Sequence, residues 1–150
     1  MDAFASALSG SPDALAGAAS VVERIAEDEA AARDERARLD TDGLLGLDPQ
    51  PAIDGLLDGE LVVDMRQATR VERIPAEGTG EITGRLHLTT RRLILSGAAP
   101  LSVDLSAIEE LSLVGERLLV GLGNGAGLCF DIAAPRAFRV RASYAIAQAR

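Results

Sequence analysis

The side chains able to do chemistry in this chain are few, and their spacing argues against catalysis. There is one histidine, His87, and one cysteine, Cys129, in 150 residues. A zinc site of the ordinary kind needs several Cys and His ligands, and a disulfide needs a second cysteine, so neither is expected. A general base at His87 would need a nucleophile or a substrate proton within reach, and no residue pattern marks one. Glu109 and Glu110 are adjacent in a segment that reads as a strand, so they point to opposite faces and cannot share a proton. Residues 121–126, GLGNGA, satisfy a dinucleotide-binding fingerprint by letter. That fingerprint needs a helix N-terminus after it, and GLCFDI at 127–132 reads as a strand. Asn124-Gly125 between two apolar alternations instead predicts a type I′ hairpin with both central residues at positive φ. Neither a cofactor, a metal nor an enzymatic activity is expected.

The remaining candidates are arginines. GRLHLTTRRLIL, residues 84–95, sets Arg85, Arg91 and Arg92 around a threonine pair. A Thr hydroxyl at 89 or 90 can cap a tight strand connection. Of Arg91 and Arg92, one is expected to pair with a nearby carboxylate and the other to be solvated, with Arg92 the structural member. Arg85 and Arg91 are free to meet a ligand, and guanidinium forks match the oxygens of a phosphate headgroup.

Charge is unevenly distributed around these residues. The net charge is −8, with no lysine among the 15 basic residues, a bias typical of a high-GC, bacterial-type genome. Residues 1–60 hold 14 acids and 4 arginines, whereas residues 61–150 hold 9 acids and 11 arginines. An acidic arm therefore precedes a faintly basic body, and nucleic acid, which needs clustered cations, is a poor partner. No apolar run reaches the ~20 residues that span a bilayer, and the N-terminus lacks the basic region of a signal peptide. A cytoplasmic setting is expected.

The arm, residues 1–40, reads as an acidic amphipathic helix over 11–40. Ser11 is a candidate N-cap and Pro12 suits the first helical position. Leu15, Ala18, Val22 and Ile25 form a narrow apolar stripe. Beyond Ile25 the helix is polar nearly all round, which predicts a solvated extension unless it borrows a partner's surface. Residues 41–52, rich in Gly, Pro and Asp, read as a linker, although Leu44, Leu45 and Leu47 are expected to pack on something.

From residue 53 the chain reads as one mainly β domain ending in a helix. The first strand covers 60–74, and EGTGEIT at 77–83 reads as turn material. Leu86 and Leu88 point inward, Arg85 and His87 outward to solvent, and Leu93 and Leu95 continue the inner face. Ile108, Leu111 and Leu113 are inward in a later strand. Six or seven short strands at even spacing predict a small barrel or sandwich. In the closing helix, Phe138, Ala142, Ala145 and Ala149 share a face suited to lie on a sheet.

The stretch at 84–95 resembles the signature of the GRAM domain, a member of the pleckstrin-homology superfamily. Gly84, Leu86, Leu88, Thr89, Arg92, Leu93 and Ile94 match it in order, and LLDGE at 56–60 is similar to the element that opens such domains. Arg91 and Leu95 stand where the family often has aromatic residues. The resemblance covers about residues 53–150. It implies a partly open barrel of about seven strands with a C-terminal capping helix, and binding rather than catalysis. Two readings follow. One is a protein-interaction or scaffold module, docking a partner or a second copy through the stripe Leu15, Ala18, Val22 and Ile25 and through the barrel surface. The other is a peripheral binder of anionic membrane, with Arg85 and Arg91 on lipid headgroups.

Overall fold

A computed structural model describes residues 12–74 and 78–150, with side chains described over 20–71 and 81–150. Helix α1 (Pro12–Asp42) leads into an ordered loop and then seven strands: β1 (Val62–Ile74), β2 (Gly78–Thr89), β3 (Arg92–Gly97), β4 (Leu101–Asp104), β5 (Ile108–Val114), β6 (Arg117–Leu122) and β7 (Gly127–Ile132). A 3-10 turn (Leu105–Ala107) joins β4 to β5, and α2 (Pro135–Ala149) closes the chain. The strands form one antiparallel sheet in the order β4-β3-β2-β1-β7-β6-β5. Its end strands β4 and β5 do not pair with each other, so the sheet curls without closing.

One core serves both halves of the sheet. Leu86, Leu88, Leu93 and Leu95 from one half meet Leu118, Val120 and Phe130 from the other, and Phe138, Ala142, Ala145 and Ile146 of α2 fill the end between them. The alternation in β2 and β3 produces this directly, since Leu86 lies opposite Leu95 and Leu88 opposite Leu93 on one face. Ile108, Leu111 and Leu113 are spaced three and two apart, and a register shift between Ile108 and Glu110 brings all three to the core. Ile146 is buried and Ala149 is exposed, so the inner face of α2 passes through Ile146 rather than reaching its last alanine.

Two expectations about turns are corrected. Residues 78–83 are not turn material but the first half of β2, paired with β1 as far as Ile74 opposite Gly78. The extended β1 offers a complete ladder of partners, and this outweighs the turn propensity of Gly78 and Gly80. The 122–126 hairpin is also not type I′. Gly125 has φ 82°, while Asn124 has no positive φ. Gly125 N–H donates to Leu122 O at 3.0 Å, and Leu122 N–H to Ala126 O at 2.9 Å. A three-residue loop with a single left-handed glycine accounts for this pattern.

Gly84 has a steric role. A Cβ there would sit 2.3 Å from the Ser96 carbonyl oxygen, so β2 and β3 can approach only with glycine at this position. Gly97, opposite it at φ 141°, completes the close contact.

Candidate functional site

The 84–95 stretch forms a framed turn. Thr89 Oγ1 accepts from the N–H groups of Arg91 (3.0 Å) and Arg92 (2.7 Å) and donates to Glu60 Oε2 at 2.6 Å. Arg92 donates to both oxygens of Glu60, at 3.0 and 2.7 Å, and to Gly55 O at 2.9 Å. Glu60 is buried, and the Arg92 fork holds its carboxyl at about 2, against the cost of burial and with help from the Leu57 N–H and the Thr89 hydroxyl. Arg92 is thus the structural member of the pair. Arg91 is exposed in the turn, and Arg85 is exposed on β2. Neither guanidinium makes an ion pair among the described residues. Arg85 lies four steps along β2 from Thr89, or ~13 Å at strand rise, so the two arginines are spread along the sheet rather than clustered.

The outer face of β1–β4 is not bare. Met65, His87, Ile94 and Ser102 lie side by side across the four strands, with Arg85 and Ser96 in the next row. The 51–54 loop covers this face. Gln50 fastens the loop to β1, accepting from Val62 N–H at 2.8 Å and donating to the Val62 and Leu47 carbonyls. Between loop and sheet lies an open cleft of about 860 Å³. His87 therefore faces outward as its register predicts, yet it is only 4% exposed. The expectation of a solvent-exposed histidine fails: His87 sits on a central strand between Met65 and Ile94, and a central position flanked by large side chains is covered even on the outer face. Burial pushes the imidazole below its ordinary value, partly opposed by the Ile94 carbonyl; Arg85 adds to the lowering and the Arg85 carbonyl opposes it. His87 Nδ1 is buried without a hydrogen-bond partner.

The third region is α1, and it does not behave as a solvated extension. Its polar half docks on α2 through carboxylates. Asp28 accepts from the N–H groups of Arg136 (2.8 Å) and Ala137 (3.1 Å), capping a helix whose own N-cap, Ala134, offers no side-chain oxygen. Glu35 receives the Arg141 fork at 2.7 and 3.0 Å and the Arg38 fork at 3.1 and 2.6 Å. Arg141 continues to Asp64 at 3.2 Å, and Arg66, also paired with Asp64, stacks over the Phe138 ring at 4.9 Å. Arg141 is the main cause that holds Glu35 at about 2, against desolvation. Leu39 is buried, and Gly43 at φ 71° ends the helix by donating to Leu39 O at 2.9 Å. In the loop beyond, Leu44 packs on the core whereas Leu45 stays exposed.

The opening half of α1 is different. Val22 is 66% exposed and Val21 40%, while Ile25 is half-buried. Leu15 and Ala18 lie outside the residues whose side chains are described. Cys129 is half-buried in β7, with its thiol pushed up by burial. Glu109 and Glu110 are both exposed. Among the described residues no His, Cys, Asp and Glu group is placed to hold a metal, and no helix is long and apolar enough to cross a membrane.

Comparison of the sequence with protein families and with curated proteins gives no match. Solved structures do resemble the chain. The Slm1-PH domain, solved in complex with phosphoserine, is 13% identical over 59% of this chain and 97% of that one, with a TM-score of 0.41. Inner membrane complex sub-compartment protein 3 of Toxoplasma gondii is 13% identical over 57% and 75%, at 0.44. The C-terminal domain of an unknown protein from Leishmania infantum is 18% identical over 49% and 72%, at 0.40. At these identities a likeness concerns shape alone. The architecture itself is a curled seven-stranded antiparallel sheet closed at one end by a C-terminal helix.

Proposed function

We propose that the chain is a non-catalytic protein-interaction or scaffold module of a cytoplasmic, GRAM-like kind, engaging a partner or a second copy through the start of α1. The observation that carries this reading is the exposure of Val21 and Val22 on a helix whose later half is pinned by Asp28, Glu35 and Leu39. A helix fixed at one end presents Val21 and Val22 at a defined angle, so little ordering cost remains on binding, and the stripe Leu15, Ala18, Val22 and Ile25 is the surface we assign to the partner. A photo-reactive residue at position 22, activated in cells, should give one discrete adduct, either with another copy or with a single partner. Leu15→Glu should abolish that adduct. A diffuse smear, or an adduct indifferent to Leu15→Glu, rejects the reading.

A second reading, binding of anionic membrane, is favoured by the exposure of Arg85 and Arg91 without ion pairs among the described residues. Each basic residue near such a surface contributes roughly 1 kcal/mol, so two would raise binding by only about 30-fold. The acidic α1 opposes even that. Flotation with anionic vesicles that is lost in the Arg85→Glu, Arg91→Glu variant would establish this reading in place of the first.

A further inference from the structure

We propose that the groove between α1 and α2 is a docking site for an acidic peptide segment of a partner protein, held by Arg33 and Arg36 on one rim and by Arg139 on the other. This surface is separate from the stripe at the start of α1 and does not depend on it. It gives the chain a second point of contact with different chemistry.

The two helices that form the groove run side by side in the same direction. Asp28 meets Arg136 and Ala137, and Glu35, two turns further on, meets Arg141. Arg139 is therefore about level with Ala32, across the groove from Arg33 and Arg36. The groove holds about 610 Å³, and Leu39, Leu113, Val140 and Tyr144 give it a largely apolar wall. All three arginines line it and are exposed.

Charge selects the partner. The charged residues lining the groove are Arg33, Arg36, Arg136, Arg139, Glu29 and Asp40. Arg136 is committed to Asp28 and Glu116. Arg139 donates through Nε to Leu111 O at 3.2 Å, which orients its fork and leaves the terminal nitrogens without a carboxylate among the described residues. Arg33 and Arg36 make no ion pair among the described residues, although Glu29 and Asp40 stand four positions away from them on the same helix. Uncommitted cations therefore stand on both rims of one groove, with a single acid toward each end. Glu29 and Asp40 are about 16 Å apart at helical rise, the span of about five extended residues. In an extended segment successive side chains alternate in direction, so three consecutive acids reach Arg33 and Arg36 on one side and Arg139 on the other. Cations on opposite rims suit separate carboxylates better than a single phosphate, whose donors must gather around one point. The chain's net charge of −8 repels an acidic partner only at long range. That repulsion is screened beyond about 8 Å at physiological ionic strength, so the cations in the groove decide.

The test is chemical-shift mapping on the full chain at physiological ionic strength. The probes are acetyl-Leu-Glu-Glu-Glu-Leu-amide, the same peptide with Gln in place of each Glu, and inorganic phosphate. Exposed ion pairs are individually weak, so a Kd on the order of 1 mM is expected. The acidic peptide should shift the backbone amides of residues 29–40 and 139–144 saturably, and the Gln peptide should not. Arg33→Gln with Arg36→Gln, at exposed positions, should weaken binding about fivefold or more. Arg85→Gln with Arg91→Gln removes the same charge from the sheet and should leave the affinity unchanged. The proposal is overturned by the absence of a saturable shift at several times the expected Kd, by an equal response to the Gln peptide, or by phosphate binding more tightly than the acidic peptide. Shifts confined to another face, or an equal loss of affinity in the two double variants, overturn it as well.

Discussion

Two buried glutamates, Glu60 and Glu35, sit in nearly the same chemical situation and do opposite kinds of work. Each takes an arginine fork on both oxygens, and each is held at about 2. Glu60 and Arg92 frame a single turn, together with Thr89. Glu35 and Arg141 lie on different elements, 106 positions apart, and fasten α1 to α2. The same interaction thus specifies a local conformation in one place and a tertiary arrangement in the other. The consequences of breaking it should differ accordingly.

The largest effect is expected at Glu60. Glu60→Ala leaves the Arg92 guanidinium, the Thr89 hydroxyl and the Leu57 N–H without their acceptor beside the core. Removing one partner from a buried pair costs about 3–5 kcal/mol. The whole domain should lose that much in a urea titration, with every strand affected alike. If unfolding is unchanged, the turn is held by backbone geometry alone.

Acid tests both sites in one experiment. Both carboxyls are depressed in the folded state, so their stabilisation is fully present above about pH 4.5 and is lost as the pH falls toward about 2. Each contributes at most about 3 kcal/mol by that linkage. The comparison predicts two distinguishable events in that window, both seen by hydrogen exchange: release of residues 28–42, and loss of protection in the amides of β2 and β3. A single event would mean that α1 is an integral part of the domain's cooperative unit.

Asp28→Asn isolates the helix dock. An amide still offers one oxygen but neither the charge nor the second acceptor for the N–H groups of Arg136 and Ala137. A cap of this kind contributes about 1–2 kcal/mol, with a further share from the helix dipole. Exchange protection should fall in the 28–42 segment and in the first turn of α2, while β2 and β3 keep theirs. Uniform loss across the sheet would contradict the division of roles.

What the sequence disclosed divides along the same line. Strand alternation showed Leu86, Leu88, Leu93 and Leu95 facing inward, because a strand's two faces follow from parity alone. Thr89 and Arg92 were legible as turn and frame because they and the turn they shape lie within a few residues. The dock of α1 was not legible. A hydrophobicity pattern registers EDEAAARDERAR as polar, and nothing local reveals that Asp28 and Glu35 find cations more than a hundred residues away. His87 was misjudged for a related reason. Its facing was right, but its burial depends on its cross-strand neighbours Met65 and Ile94, which parity within one strand does not reveal. The 78–83 segment shows the same limit in a strand, where pairing with β1 overrode glycine content.

The smallest predicted effect probes whether Asp28 also shapes the helix end it caps. Ala134 precedes α2 with φ 50° and ψ 57°, the left-handed region that a residue with a Cβ enters at a cost of roughly 1–2 kcal/mol. Ala134→Gly removes that cost but adds backbone freedom to the unfolded chain, worth up to about 1 kcal/mol in the other direction. A net gain of about 0.5 kcal/mol is expected, read as a rise in thermal midpoint of a few degrees at most. The informative measurement is the same substitution beside Asp28→Asn. If Asp28 draws the first amides of α2 into place and holds Ala134 in its strained conformation, Ala134 can relax once the carboxylate is gone, and the glycine gain shrinks toward zero. If the gain is identical in both backgrounds, the left-handed residue is fixed by Pro135 and by Arg66, which donates to the carbonyls of Ala133 and Ala134. Asp28 then caps a helix end that the domain had already built, and α1 is an addition to the fold rather than a part of its construction.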